Sequence, residues 1–511
     1  MIGGYLRSTS CLAMIAAAGF VMGSVSAQAA DLGGNCCADL EERVAELEAT
    51  TARKGNRKVS LQIYGQVSES IVWWNDGAES NVFVVENNNV QNRVGFQGNA
   101  KINSDWSAGY KLELQIRAYR SSVANQLSLG ASNNVQIAVY NTQAVSIREA
   151  HWFLKSNTYG TLTVGRSAEA ATGTAGISLV NPDGFSGSNG AGFANGGMFL
   201  RRSGTTGNAG LSNLTWQTFS YVRNGDGPAP FDYATTSGSV KYTSPFFLGQ
   251  TKSSGFLFAA NWGMDDAWTV ALRYVEDFGA IRVAAGVGYS DWSGPDRGMC
   301  STGASGNMAN AATNPILPGG PGNDLGSTVS CSAWQASASV LHVPTGLYVS
   351  GGGAQLTDDN ANAALSARTN GLNSQANGKD GFWWVQAGWQ AKLNALGNTI
   401  FWGQLTEFST GLGVNNNQIQ GVAGNDMLNS FGATAAIFGT STKVWSLGVS
   451  QEISAAAMIL YAGFHNYTTE GTLVGTTGAG GANVAGVTGL VRKANPIDDM
   501  QLFYTGATIR F

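Results

Sequence analysis

The chain has 511 residues, among them 69 glycines, 29 Lys+Arg and 33 Asp+Glu, so glycine outnumbers all charged side chains together. A charged content of 12%, against about 25% in ordinary soluble proteins, leaves a large soluble surface poorly solvated, while 43% hydrophobic and 10% aromatic content excludes a disordered chain. A helical membrane protein is excluded too, because a spanning helix needs ~20 consecutive apolar residues and the longest such run, Cys11 to Met22, has twelve. The net charge of −4 offers no basic face for nucleic acid. Three scattered histidines, His151, His342 and His465, have no Cys or carboxylate at ligand spacing, so no metal is expected. No Gly-rich strand-to-helix turn points to a nucleotide, and no cofactor is expected. A chain that is apolar yet lacks apolar runs fits a transmembrane antiparallel β-barrel, whose lipid-facing and lumen-facing residues alternate and average out.

Residues 1–29 read as a secretory signal peptide: Arg7, the apolar run, then small residues ending in Ala27-Gln28-Ala29. Residues 30–58 read as a short periplasmic helix and linker. Leu40, Val44 and Leu47, with Cys37 before and Thr51 after, repeat at the 3,4 spacing of a coiled-coil seam. About two heptads are marginal alone, so the stripe is either an oligomerising stalk or a helix packed on its own domain. Cys36 and Cys37 are adjacent, which leaves intermolecular disulfides or free thiols as the alternatives.

From residue 59 to 511 the pattern is strand. In Tyr110–Arg117, Tyr110, Leu112, Leu114 and Ile116 share one face, and Lys111, Glu113, Gln115 and Arg117 share the other. Upstream, Val94, Phe96, Ala100 and Ile102 oppose Arg93, Gln97, Asn99 and Lys101; downstream, Ile281, Val283, Ala285, Val287 and Tyr289 oppose Arg282, Gly286, Gly288 and Ser290. The polar faces hold long cations and small glycines, as a confined water-filled space would require. Aromatics gather near strand ends, among them Trp73-Trp74, Trp262, Trp268, Trp383-Trp384, Trp389 and Trp402, and are expected to form interfacial girdles. Short connections such as 103–105 and 156–160 alternate with long ones at 294–332, 358–380 and 411–433, an asymmetry typical of outer-membrane barrels. Cys300 and Cys331 bracket the first long segment and make a disulfide candidate that would reduce the loop's freedom. The chain ends in a strand finishing on Phe511, where soluble domains usually fray.

The terminal Phe511 resembles the assembly signal of bacterial outer-membrane barrels. Three further segments resemble the trimeric porins: Arg93-Val94-Gly95-Phe96-Gln97-Gly98 with Gly109-Tyr110-Lys111-Leu112-Glu113; Tyr159-Gly160-Thr161-Leu162-Thr163-Val164-Gly165-Arg166; and Val240-Lys241-Tyr242-Thr243-Ser244-Pro245-Phe246-Phe247. With the Cys-Cys helix they are most similar to the α-proteobacterial porins, the likeness thinning after about residue 340. The resemblance implies an outer-membrane barrel of about 16 strands, although length alone accepts about 18. It implies a homotrimer in contact with lipid and lipopolysaccharide, with each pore narrowed by an inward-folded loop at about 167–213. The implied function is passive diffusion of small hydrophilic solutes and ions, without enzyme chemistry. Pore-lining candidates are Arg93, Lys101, Lys111, Glu113, Arg117, Arg148, Lys241, Arg273 and Arg282; constriction-loop candidates are Glu169, Asp183, Arg201 and Arg202. The loop's few acids point to weak or mildly anionic selectivity. The rival readings are an outer-membrane adhesin or structural surface protein without channel activity, and a barrel enzyme drawing its base from one of the three histidines.

Overall fold

A computed structural model describes residues 58–116, 145–180, 236–263, 267–291, 331–358, 379–410, 435–475 and 497–511, with shorter pieces within 120–127, 182–216, 414–415 and 490–493. The signal segment, the helix with Cys36 and Cys37, Arg117, Asp183, Arg202 and Cys300, and therefore the disulfide with Cys331, lie outside the described residues.

The strand segments close into a 16-strand antiparallel β-barrel. In chain order its strands are β1 (Gln62–Asn75), β2 (Arg93–Lys101), β3 (Trp106–Ile116), β4 (Val145–Ser156), β5 (Gly160–Ala168), β6 (Thr236–Thr243), β7 (Gly255–Gly263) and β8 (Trp268–Asp277). There follow β9 (Ile281–Asp291), β10 (Cys331–His342), β11 (Leu347–Asp358), β12 (Lys379–Asn394), β13 (Gly397–Thr410), β14 (Ala435–Ile453), β15 (Met458–Gly475) and β16 (Met500–Arg510). Each pairs with the next, and β16 closes on β1 from Gln66↔Arg510 to Asn75↔Gln501. Closure removes the free edge that a sheet would otherwise present in lipid. Phe511 takes part in the seam: its N–H donates to Gly65 O at 3.1 Å and its carbonyl accepts from Gly65 N at 2.9 Å.

Period two sorts the side chains as a two-solvent wall demands. Val67, Ile71, Leu112, Ile147, Leu162, Val240, Leu272, Val287, Val349, Val385, Leu405 and Leu447 are exposed on the outside, the apolar band of a bilayer-spanning barrel of the outer-membrane type. Tight connections lie at one end, at 157–159, 278–280, 343–346, 395–396 and 454–457. The long segments leave from the other end, where 264–267 is the short exception; the β1–β2 connection, 76–92, turns at Asp76–Glu79 into a further strand, Ser80–Glu86, that pairs back on β1.

The aromatic doublets correct the girdle expectation. In Trp73-Trp74 and Trp383-Trp384 successive side chains point to opposite faces, so Trp383 is exposed outside while Trp74 and Trp384 are buried inside with Trp402. They belong to an apolar cluster within the barrel that also holds Val72, Phe185, Leu200, Trp216, Phe408, Tyr461, Leu502 and Tyr504. Phe185, Leu200 and Trp216 lie beyond β5, so the segment after that strand packs inside the barrel rather than outside it. Full burial of Phe185 and Leu200, each 0% exposed, contributes on the order of 1.5–3 kcal/mol per side chain, a substantial hold on the segment.

Candidate functional site

The segment after β5 crosses the inner wall along a row of small and amide side chains. Ala170 N donates to Asn261 Oδ1 on β7 (2.6 Å), and Gln335 Nε2 on β10 donates to Ala171 O (2.8 Å). Ser337 Oγ donates to Thr174 O (2.7 Å) and accepts from Ile177 N (2.8 Å); Ser339 Oγ accepts from Leu179 N (3.0 Å). Trp384 Nε1 on β12 donates to Ala175 O (2.9 Å), and the Gln404 amide on β13 bonds both N and O of Gly187 (2.8 and 2.9 Å). Phe185 ends this path edge-on to Tyr504 of β16, ring centroids 4.8 Å apart. The loop fits because the wall beneath it is thin: a Cβ on Gly286 would overlap Ile177, and one on Gly288 would meet Thr174 and Ala171. These are the lumen-facing glycines of the β9 pattern.

The remaining wall carries charge. Glu113 on β3 lies at the centre, accepting from Tyr64 Oη (2.7 Å) and Arg148, with Arg93 at 3.4 Å and Lys111 at 3.5 Å. Tyr64 reaches it across β2 because Gly95, whose Cβ would overlap the Tyr64 ring, leaves the space. Lys111 also bonds Glu149 (3.0 Å), which stands 3.5 Å from Arg148 and 3.7 Å from His151 Nδ1. The exposures set the sign of what a solute meets: 24%, 26% and 19% for the Arg93, Lys111 and Arg148 side chains against 2% and 11% for Glu113 and Glu149. The carboxylates sit behind and hold the cations; the cations reach forward.

Lys241 and Arg273 fix the root of the loop. Lys241 Nζ donates to Ala168 O at 2.6 Å; Arg273 Nη2 donates to Ala170 O and Thr172 O at 2.9 and 2.6 Å. Glu169 is buried at the same root.

The candidates therefore separate into groups. Arg93, Lys111, Glu113 and Arg148 come together, and Lys241 and Arg273 stand at the loop root. Lys101 is exposed at the end of β2 beside a tight turn, and Arg282 pairs with Asp277 (2.7 Å) across the 278–280 turn; both lie at the short-turn end, apart from the cluster. Arg201, expected in the constriction, is fully buried instead in an ion pair with Asp76 (2.8 Å), with Glu79 at 3.4 Å, tying the hairpin of Phe199–Arg201 and Leu211–Thr215 to the β1 turn. A buried guanidinium demands such partners. Glu149 and Tyr64 were not expected. Glu149 escapes a period-two reading because a β-bulge at Arg148, between the pairs Glu113↔Glu149 and Leu114↔Ile147, directs two consecutive residues at the same cluster.

The histidines fall on different strands. His151 faces the lumen, His342 bonds Thr345 Oγ1 (2.7 Å) at a turn, and His465 is fully buried against Ser446 and stacked on Tyr504. Among the described residues no three His, Cys, Asp or Glu side chains form a group able to hold a metal ion.

No protein-family model matches the chain, and no curated protein matches it. Solved structures with some likeness include an anion-selective porin from Comamonas acidovorans (13% identity, 89% of this chain and 100% of that one, TM-score 0.47). Others are Salmonella typhi OmpF in complex with daunomycin (14%, 89% and 98%, 0.44) and the outer membrane channel DcaP of Acinetobacter baumannii (9%, 90% and 99%, 0.42). Likeness at this level carries no functional argument.

Proposed function

We propose that the barrel is an outer-membrane channel for passive diffusion of small hydrophilic solutes and ions, most like the α-proteobacterial porins, working as a homotrimer. One observation carries the reading. The loop and its apolar cluster occupy one part of the inner wall, whereas β2 to β4 present Arg93, Lys111 and Arg148 to the interior with their carboxylates set behind them. Fixed charges bordering a narrow aqueous gap focus the potential across it, so this wall favours a mild preference for anions. No covalent chemistry is needed; the loop sets the width and the cations set the field.

Single-channel recording on the purified protein in a planar bilayer tests the channel, and closure in three steps tests the trimer. The reversal potential in a salt gradient tests selectivity, with strong cation preference as the overturning result. The apolar filling between loop and wall favours one alternative specifically, a plugged barrel serving as an adhesin or structural surface protein; a folded protein giving no conductance step would establish it.

A further inference from the structure

The outside of a bilayer barrel is apolar at mid-height, and Arg166 and Glu69 depart from that pattern. Arg166 on β5 points outward and is exposed, its Nε donating to Arg148 O at 3.3 Å. It stands in register with Ala150 and Gly238 in a region whose outward neighbours include Leu162, Trp152, Ile147 and Val240, all exposed. Glu69 on β1 points outward between exposed Val67 and Ile71, accepting at Oε1 from Asn92 Nδ2 at 2.8 Å. Among the described residues the polar partners shown for them are uncharged groups, the Arg148 carbonyl and the Asn92 amide.

Their depths agree. Counted from the tight-turn end, Arg166 is the seventh residue of β5 and Glu69 the eighth of β1. They cannot meet within one barrel, because β2, β3 and β4 stand between β1 and β5. A second copy rotated about the membrane normal keeps every residue at its own depth, so it can bring one of these faces against the other, and repetition of that contact closes a ring. An unpaired arginine facing lipid at this depth is disfavoured, and a carboxylate level with it on another face is the complement that removes the penalty.

We propose that the β5 face of one barrel docks on the β1 face of a second copy, pairing Arg166 with Glu69 of that copy. The inference rests on the oligomeric reading above only in requiring more than one barrel. It concerns the outer surface, so its failure is distinguishable from failure of the channel.

The test is a charge swap in the whole chain, with oligomer distribution read by mass photometry in detergent and conductance recorded separately. Arg166→Glu and Glu69→Arg each lower the oligomer's association constant about tenfold or more, and the double variant restores it, as charge pairs across interfaces do. Oligomers intact in both single variants, or no restoration in the double, overturn the proposal. Arg166→Met covers the case in which a reversed charge prevents insertion: methionine suits lipid, so a well-folded Met variant that loses oligomer supports the contact, and one that keeps it shows that the face meets only lipid. Unchanged oligomers with normal conductance refute the pairing and leave the channel standing; oligomers lost as predicted in a protein that never conducts refute the channel alone.

Discussion

Two regions of the inner wall, β9 to β13 and β2 to β4, are built from the same antiparallel ladder and differ in what their inward positions carry. From β9 to β13 the inward positions beneath the loop include Gly286, Gly288, Ser337, Ser339, Ser350, Gln386 and Gln404, small or amide side chains that let a loop lie on them and satisfy its backbone, with the large apolar Trp384, Trp402 and Phe408 packed among them. On β2 to β4 they are Arg93, Lys111, Glu113, Arg148 and Glu149, long side chains that no loop covers among the described residues. Inward polarity alone does not define a pore lining. A hydroxyl that meets a peptide group becomes a seat, and a cation backed by a buried carboxylate becomes a surface for solute.

Breaking the loop's anchors has the largest expected effect. Arg201→Met leaves Asp76, 2% exposed, as a buried charge without its partner, a change that costs about 3–5 kcal/mol in comparable sites. The loss is expected locally, as faster proteolysis within 198–216 of a barrel that still migrates as folded; equal cleavage in both proteins contradicts an anchoring role. Gly288→Val comes next. Its side chain would overlap Thr174 and Ala171, and overpacking of this kind costs about 1–3 kcal/mol, so the loop shifts toward the charged wall and single-channel conductance falls. Gly403, exposed on the outside with only Ser446 O near an added Cβ at 3.8 Å, supplies the control, since Gly403→Ala leaves conductance unchanged. Smaller again is the effect of charge on the open wall. Glu113→Gln removes the central negative charge and raises the anion-to-cation permeability ratio about twofold, and Arg148→Gln lowers it, both effects shrinking as salt screens the field. If Gly288→Val moved selectivity and Glu113→Gln moved only conductance, the division of labour between the walls would be wrong.

How much of this was readable before folding depended on regularity. Arg93, Lys111 and Glu113 stand on uninterrupted period-two runs, so their common face followed from the pattern and needed only the register to bring them together. Glu149 did not follow, because a bulge is one extra residue with no sequence mark of its own. Ser337 and Ser339 were unreadable as a seat for a different reason: a serine on a lumen face looks the same whether it meets water or the peptide group of Leu179. Trp74 and Trp384 looked like girdle residues because doublets hide which member turns inward. Arg201 showed only that a cation lay in the expected loop, while its partners, Asp76 and Glu79, are more than a hundred residues away in the chain.

The smallest expected effect lies outside both walls, in the tight turn between β2 and β3. Asp105 accepts from Ser156 Oγ (2.7 Å) and from Thr158 N and Oγ1 (3.1 and 3.0 Å), clasping this turn to the next one. Those donors, the Ser156 hydroxyl foremost, hold its carboxyl below the ordinary carboxylate range. The folded state therefore prefers the ionised form. That contribution is complete above the ordinary value of about 4 and is lost as the pH falls through the lower folded value, because the unfolded chain takes up the proton first. Asp105→Asn should lower the urea midpoint at pH 7 and make progressively less difference below about pH 4. A midpoint gap that persists undiminished at pH 2.5 would mean that the asparagine disturbs the turn's geometry rather than its charge. The loop seat and the cation wall lie elsewhere, so conductance and selectivity at pH 7 should stay at their wild-type values while the gap is largest.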